Sequence, residues 1–325
     1  MGDSKMFRIL SLDGGGIKGA FAASVLTEIE REVGQPLGEY FDLIAGTSTG
    51  GILALGLAFR IPAREIRDFY RNMGPDIFPA TGRLGIGGLI RQLFGPKHSH
   101  TKLRTALEKV FANRKFGEAK NRLVIPTYDA ISGHVFVLKT GHHERFKYDV
   151  DALAVDVALA TSAAPTYFQA ASFPVHVGSS FVDGGVWANN PVLVAMIEAR
   201  CFLGVPLAEM EVLSIGTTAA PFNIANNRAA GIINWNVGMI NLMFEGQAEA
   251  ALKQAKLLLY DRVLRINVTT KPGEFSLDDA SIDKIDRLMN LGRSEAVKRE
   301  NLEAAKRRFF SEKAPPFVPI HAAKQ

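Results

Sequence analysis

A chain of 325 residues that is 47% hydrophobic and 22% charged can bury a large core, as one large α/β domain or two smaller ones, which excludes a disordered or fibrous protein. The single Cys201 excludes an internal disulfide and a multi-thiolate metal site; it suits a reducing cytosol and reads as a small buried filler on a helix. The formal net charge is +5, with most of the excess between Lys284 and Lys313. Glu295 with Arg299 and Glu303 with Arg307 fall at i,i+4 there, the pattern of a solvated helix, so neither DNA nor RNA is expected as a partner and at most a weak attraction to anionic lipid remains.

The amino terminus shows no charged segment followed by an apolar one, and no stretch approaches the roughly 18 apolar residues of a membrane span. The expectation is a soluble, cytoplasmic protein with at most a surface relationship to membranes. Phe7 to Leu12 alternates as a strand and ends at Asp13-Gly14-Gly15-Gly16-Ile17-Lys18-Gly19. From Ile17 to Val33 the pattern is helical, with Phe21, Val25, Leu26 and Ile29 on one stripe. Phe41 to Ala45 is a second short strand, running into Gly46-Thr47-Ser48-Thr49-Gly50-Gly51, and Gly50 to Phe59 is a buried helix. Strand, glycine turn and helix are thus repeated twice.

Further along, strands are expected at Arg122 to Tyr128, His134 to Lys139, Phe181 to Val182, Glu211 to Ile215 and Arg262 to Val268. Helices are expected at Ala63 to Met73, Thr101 to Phe111, Val150 to Ser162, Pro191 to Phe202, Gly231 to Leu259 and Ser281 to Phe310, and a loose Pro-rich end at Ala314 to Pro319. This alternation predicts an α/β fold with a largely parallel sheet between helices and ligands at the carboxyl ends of the strands. Within Gly82 to Gly95, the apolar Leu84, Ile86, Leu89, Ile90, Leu93 and Phe94 interleave with glycines in the manner of a membrane-facing lid. Ile232 to Phe244, with Trp235, reads first as a core helix and second as the lining of an acyl groove.

Ser48 between Gly46 and Gly50, after an apolar strand and before a helix, has the context of a nucleophile elbow. Its hydroxyl needs a base, and the seven histidines (His98, His100, His134, His142, His143, His176 and His321) sit in no obvious catalytic turn. Asp183 is the better candidate, because it ends a strand and precedes Gly184 and Gly185, where a backbone passes close to another loop. The amides of Gly14, Gly15 and Gly16 at a helix start suit a developing oxyanion. Gly14, Gly16 and Gly19 also match a dinucleotide-binding turn, although the acidic residue expected at the end of the second strand is missing.

These three motifs, in this order, resemble those of the patatin-like phospholipase family, and Ala163-Ala164-Pro165-Thr166-Tyr167-Phe168 and Ala188-Asn189-Asn190-Pro191 extend the likeness over the first two thirds of the chain. The resemblance implies a three-layer α/β/α acyl hydrolase that cleaves phospholipid esters with a Ser-Asp dyad, without catalytic histidine, metal or cofactor. By matching position it makes Ser48 the nucleophile, Asp183 the base, and the loop around Gly15 and Gly16 the oxyanion hole, with Gly19, Gly46, Gly50, Gly184 and Gly185 shaping the turns. Lys18 stands where many members carry arginine, so bidentate anchoring is lost. The implied division is a phospholipase core over 7–220 with residues 221–325 packed on the same domain.

Within the family the chain is similar to bacterial CapV-type effectors of cyclic-oligonucleotide-based anti-phage systems. That implies activation by a cyclic dinucleotide, homo-oligomerisation on activation, and action at the inner membrane surface. Lys97, Lys102 and Arg104 with His98 and His100 form a basic cluster that suits phosphate or simply a solvated helix start. The competing readings are a constitutive lipase, an α/β-hydrolase-type esterase with His321 as base, and a nucleotide-binding module without chemistry.

Overall fold

The computed structural model describes residues 5–78, 100–220 and 232–324, with side chains described from 242 onward in the last stretch. The lid candidate Gly82 to Gly95, together with Lys97 and His98, lies outside the described residues, as does the side chain of Trp235.

The strands are β1 (Phe7–Leu12), β2 (Leu43–Gly46), β3 (Arg122–Asp129), β4 (His134–Lys139), β5 (Phe181–Asp183), β6 (Met210–Ile215) and β7 (Val263–Ile266). They form one sheet in the order β4-β3-β2-β1-β6-β7, with β5 paired to β3. β1, β2, β3, β6 and β7 run parallel, whereas β4 and β5 run antiparallel to β3. The central strands are buried on both faces, which is why they read as continuous apolar runs. Alternate side chains divide between the faces: Leu10 and Ile44 go to one core, Ile9, Leu43 and Ala45 to the other.

The helices are α1 (Gly19–Val33), α2 (Thr49–Ala58), α3 (Ala63–Ile77), α4 (His100–Phe111), α5 (Ala154–Ser162), α6 (Gly185–Ala188), α7 (Val192–Cys201), α8 (Ile232–Leu259), α9 (Ile282–Val297) and α10 (Arg299–Phe309). The larger core gathers α1 to α5 with α9 and α10 on one face; α7 and α8 cover the other, giving three layers. All ten residues of α2 are buried, so it is apolar on every side. α9 packs on α1, where Gly292 meets the Phe21 carbonyl and the Ser24 hydroxyl donates to the Met289 carbonyl at 2.7 Å.

Several expectations need correction. The single helix from Ser281 to Phe310 is two, because Lys298 is extended (ψ 126°). Arg299 therefore starts a new helix, and the buried Glu295 pairs with Lys298 at 2.6 Å instead. Cys201 is exposed, since it is the last residue of α7 and faces away from the sheet that the rest of that helix covers. The helix expected from Val150 begins only at Ala154, and α3 continues through Pro75 to Ile77. Of the histidines, His142 is a buried bridge, with Nδ1 3.0 Å from the Thr140 hydroxyl and Nε2 3.0 Å from Glu198. Arg104 is taken by Asp156 at 2.5 Å, which removes it from a free basic cluster.

Candidate active site

β1 and β2 are neighbours in parallel register, so their carboxyl ends deliver the glycine loop and the Ser48 turn side by side. Ser48 has φ 56° and ψ −123°, a left-handed conformation unusual for a residue with a side chain. The turn is tight enough that a Cβ on Gly46 would strike the Gly50 carbonyl. Ser48 is held by its own amide, which donates to Thr161 Oγ1 at 3.0 Å, while that hydroxyl donates to the Pro126 carbonyl at 2.6 Å. Tyr70 on α3 braces the next residue, donating to the Thr49 carbonyl at 3.2 Å and also bonding the Thr49 hydroxyl.

Asp183 arrives from the other direction, at the end of antiparallel β5 and opposite Thr127 of β3. Its amide donates to the Ala163 carbonyl at 3.0 Å, and its Oδ1 accepts the Gly185 amide at 2.7 Å. The residue is 1% exposed. Burial raises its carboxyl to a pKa of about 7, against the opposing pull of hydrogen bonds from the Ser48 hydroxyl and the Gly185 amide. Ser48 and Asp183, 135 positions apart in sequence, are thus brought together, with the carboxylate half ionised near neutrality.

In the glycine loop, the Gly14 amide donates to the Asn189 carbonyl at 2.8 Å, and the Gly14 carbonyl accepts the Thr217 hydroxyl at 2.7 Å. Gly14 is therefore committed to holding the loop, whereas the amides of Gly15 and Gly16 have no acceptor among the described residues. Gly16 has φ 57° and sits against the Leu277 carbonyl, where no larger residue fits. Behind the loop, Asp13 takes a two-toothed bond from Arg265, at 2.9 and 2.5 Å. The buried Lys18 lies 3.7 Å from Glu245, and burial lowers its pKa.

Ser48, Asp183, Gly15 and Gly16 line one cavity whose other walls are mainly apolar, including Phe69, Ile77, Phe168 and Phe244. Its open volume is about 50 Å³, room for a water molecule or two rather than an acyl chain. Ser162 also lines it, and its buried hydroxyl has no partner among the described residues. Among the described residues no histidine lines this cavity. His321 donates to the Glu144 carbonyl at 2.8 Å, beside Gly141, so the esterase reading with His321 as base is overturned.

Matched to known families, residues 10–196 fit the model for patatin-like phospholipases. The chain belongs to the patatin-like phospholipase family. A cGAMP-activated phospholipase of Pseudomonas aeruginosa is 33% identical over 323 residues, covering 97% of this chain and 92% of its own. Its counterpart in Vibrio cholerae is 34% identical over 341 residues, covering 95% and 96%. Among solved structures, VipD from Legionella pneumophila aligns with a TM-score of 0.47 at 14% identity, over 93% of this chain and 67% of that one.

The patatin-like stretch ends before β6, so Thr217, Phe244, Arg265 and Leu277 reach the site from outside it. Sequence reasoning singled out Ser48, Asp183 and the loop, and offered Phe244 as the end of a groove-lining stretch, but missed Thr217, Arg265 and Leu277, together with Thr161 and Tyr70. Thr161 stands two residues before Ala163-Ala164-Pro165 and had a local signal to follow. Arg265, 252 positions from Asp13, had none.

Proposed function

We propose that the protein hydrolyses acyl esters of membrane phospholipids with Ser48 and Asp183 as a catalytic dyad. Asp183 takes the Ser48 proton as Oγ attacks the ester carbonyl, and the resulting oxyanion accepts the Gly15 and Gly16 amides. Asp183 returns the proton to the departing lysophospholipid oxygen, leaving an acyl-enzyme. A water, deprotonated by the same carboxylate, then attacks the acyl carbon and releases the fatty acid, regenerating Ser48. One observation carries this reading: a carboxylate buried against the Ser48 hydroxyl, with its pKa at about 7, is a base suited to neutral pH. No metal or cofactor has a part in these steps.

Activation by a cyclic dinucleotide, in anti-phage defence, is the second part of the proposal. It is supported by 33% and 34% identity, over nearly the full length, to two phospholipases named as cGAMP-activated. The small open volume of the catalytic cavity among the described residues, about 50 Å³, is in keeping with a site that ligand binding would open. Moving such an equilibrium from 1:99 to 99:1 requires roughly 5.5 kcal/mol of differential binding, of which homo-oligomerisation would supply part. Among the described residues no helix is long and apolar enough to cross a membrane, in keeping with a peripheral approach to the inner membrane surface.

The test is fatty-acid release from mixed phospholipid vesicles, with and without cyclic GMP–AMP. Release should require Ser48 and rise steeply with the nucleotide. Undiminished release by Ser48→Ala refutes the dyad, and a high rate indifferent to every cyclic dinucleotide refutes the activation.

A further inference from the structure

Ser48 is the middle of one β2–turn–α2 unit, and both far ends of that unit open on a single polar cavity. Asp42 leads into β2 and Arg60 follows the last turn of α2; both line the cavity with Lys120, Asn121 and Arg122, the last being the first residue of β3. Its open volume is about 400 Å³, within the range of small-molecule sites. It lies at the amino ends of β2 and β3, away from Ser48, and so is no extension of the substrate site.

Charge distinguishes this cavity. Several buried acids elsewhere are matched with bases, as in Asp13 with Arg265, Glu198 with Lys139 and Glu211 with Arg308. Arg60, Lys120 and Arg122 have no carboxylate within ion-pair distance among the described residues. Arg60 donates instead to the Leu57 carbonyl at 3.1 Å and to Asn121 Oδ1 at 2.6 Å, and Arg122 to the Asp42 carbonyl at 3.2 Å. The Arg122 Nε is buried with no hydrogen-bond partner among the described residues. Of the two acids on the rim, Glu39 is held by Lys313 at 2.6 Å, and Asp42 accepts the Arg8 amide at 2.9 Å. Arg60 has φ 60°, a left-handed conformation maintained by these side-chain bonds. The Phe317 ring covers the Arg122 guanidinium at 5.2 Å, adding an aromatic face to the rim.

We propose that this cavity binds the phosphodiester groups of a cyclic dinucleotide and that the ligand acts on Ser48 through β2 and α2. The proposal rests on the reading of the chain as a cyclic-dinucleotide-activated phospholipase. Unpaired guanidinium and ammonium groups are the partners a phosphodiester requires, and a base can stack on a ring or guanidinium plane beside them. The rigid α2, about 15 Å long, joins Ser48 to Arg60, so a ligand that draws Arg60 toward Arg122 displaces the nucleophile turn with it. The unpaired charges here suit the ligand better than Arg104, which Asp156 already neutralises.

Titration calorimetry of the full chain with cyclic GMP–AMP tests the site, using Lys120→Glu and Arg122→Gln. Lys120 is exposed, so its substitution should leave the ligand-free melting temperature in place even if Arg122→Gln unfolds. Each folded variant should lose about 10–100-fold in affinity, the worth of a charge-assisted contact, and the activation curve should shift by the same factor. If the wild type binds the nucleotide and Lys120→Glu binds as tightly, the site is elsewhere and the activation reading stands. If the wild type binds no cyclic dinucleotide, both fail. Loss of co-sedimentation with phosphatidylglycerol vesicles while nucleotide affinity is retained would identify a lipid-headgroup site and overturn the proposal.

Discussion

Replacing Asp183 by asparagine should stabilise the fold while abolishing hydrolysis. An ordinary aspartate titrates near 3.8, and burial lifts Asp183 to about 7. Between these values the folded protein holds a proton that the unfolded chain has released, so stability falls as pH rises through the window and levels off above it. At 1.36 kcal/mol per pH unit the accumulated cost is about 4 kcal/mol. Asparagine does not titrate and keeps an oxygen for the Gly185 amide. The stability gained by Asp183→Asn should therefore be small at about pH 4 and approach 4 kcal/mol by about pH 8. Urea denaturation of both proteins across that range reads the difference directly. The wild-type kcat/KM should rise through about pH 7 in parallel, as the base form appears. A stability difference independent of pH, or a rate that is flat down to about pH 5, would refute the reasoning.

Ser48→Ala and Asp183→Ala should each abolish turnover, and the double variant should be no worse than either, because nucleophile and base act as one unit; an additive loss in single-turnover kinetics would contradict this. In Gly15→Ala the new methyl would strike the Thr217 hydroxyl and turn the amide aside, at a cost on the order of 10²–10³ in kcat with little change in KM. Arg265→Met leaves Asp13 buried without its partner and should lower stability by about 3–5 kcal/mol, visible in chemical denaturation; a loss well under 1 kcal/mol would show the pair to be dispensable.

The parallel sheet and the three motif turns were legible because each depends on a few consecutive residues: an apolar run, then glycines, then a helix. Ser48 and Asp183 were singled out for the same reason. What escaped was whatever depends on the far side of the fold. Nothing near Arg265 marks it as the partner of Asp13, and Tyr70 resembles any core aromatic on the apolar stripe of α3. The commitment of the Gly14 amide to Asn189 is invisible in a run of three glycines. The break at Lys298 went unseen because both flanking helices have helical composition and neither glycine nor proline stands between them. Cys201 went wrong because residue type suggests burial while position at the end of α7 decides it.

The pairing of Asp13 with Arg265 bears on how the enzyme is made. The glycine loop leaves the ribosome before the arginine that neutralises Asp13, which follows 252 residues later. At about 5–20 residues per second that is an interval of roughly 13–50 s, during which Asp13 has no Arg265 to pair with. A stalled or cleaved fragment that includes Ser48 and Asp183 but ends before β7 also leaves β6 as an unpaired sheet edge and Asp13 uncompensated. Such a fragment thus carries the glycine loop without the ion pair behind it, and should be less stable than the full chain.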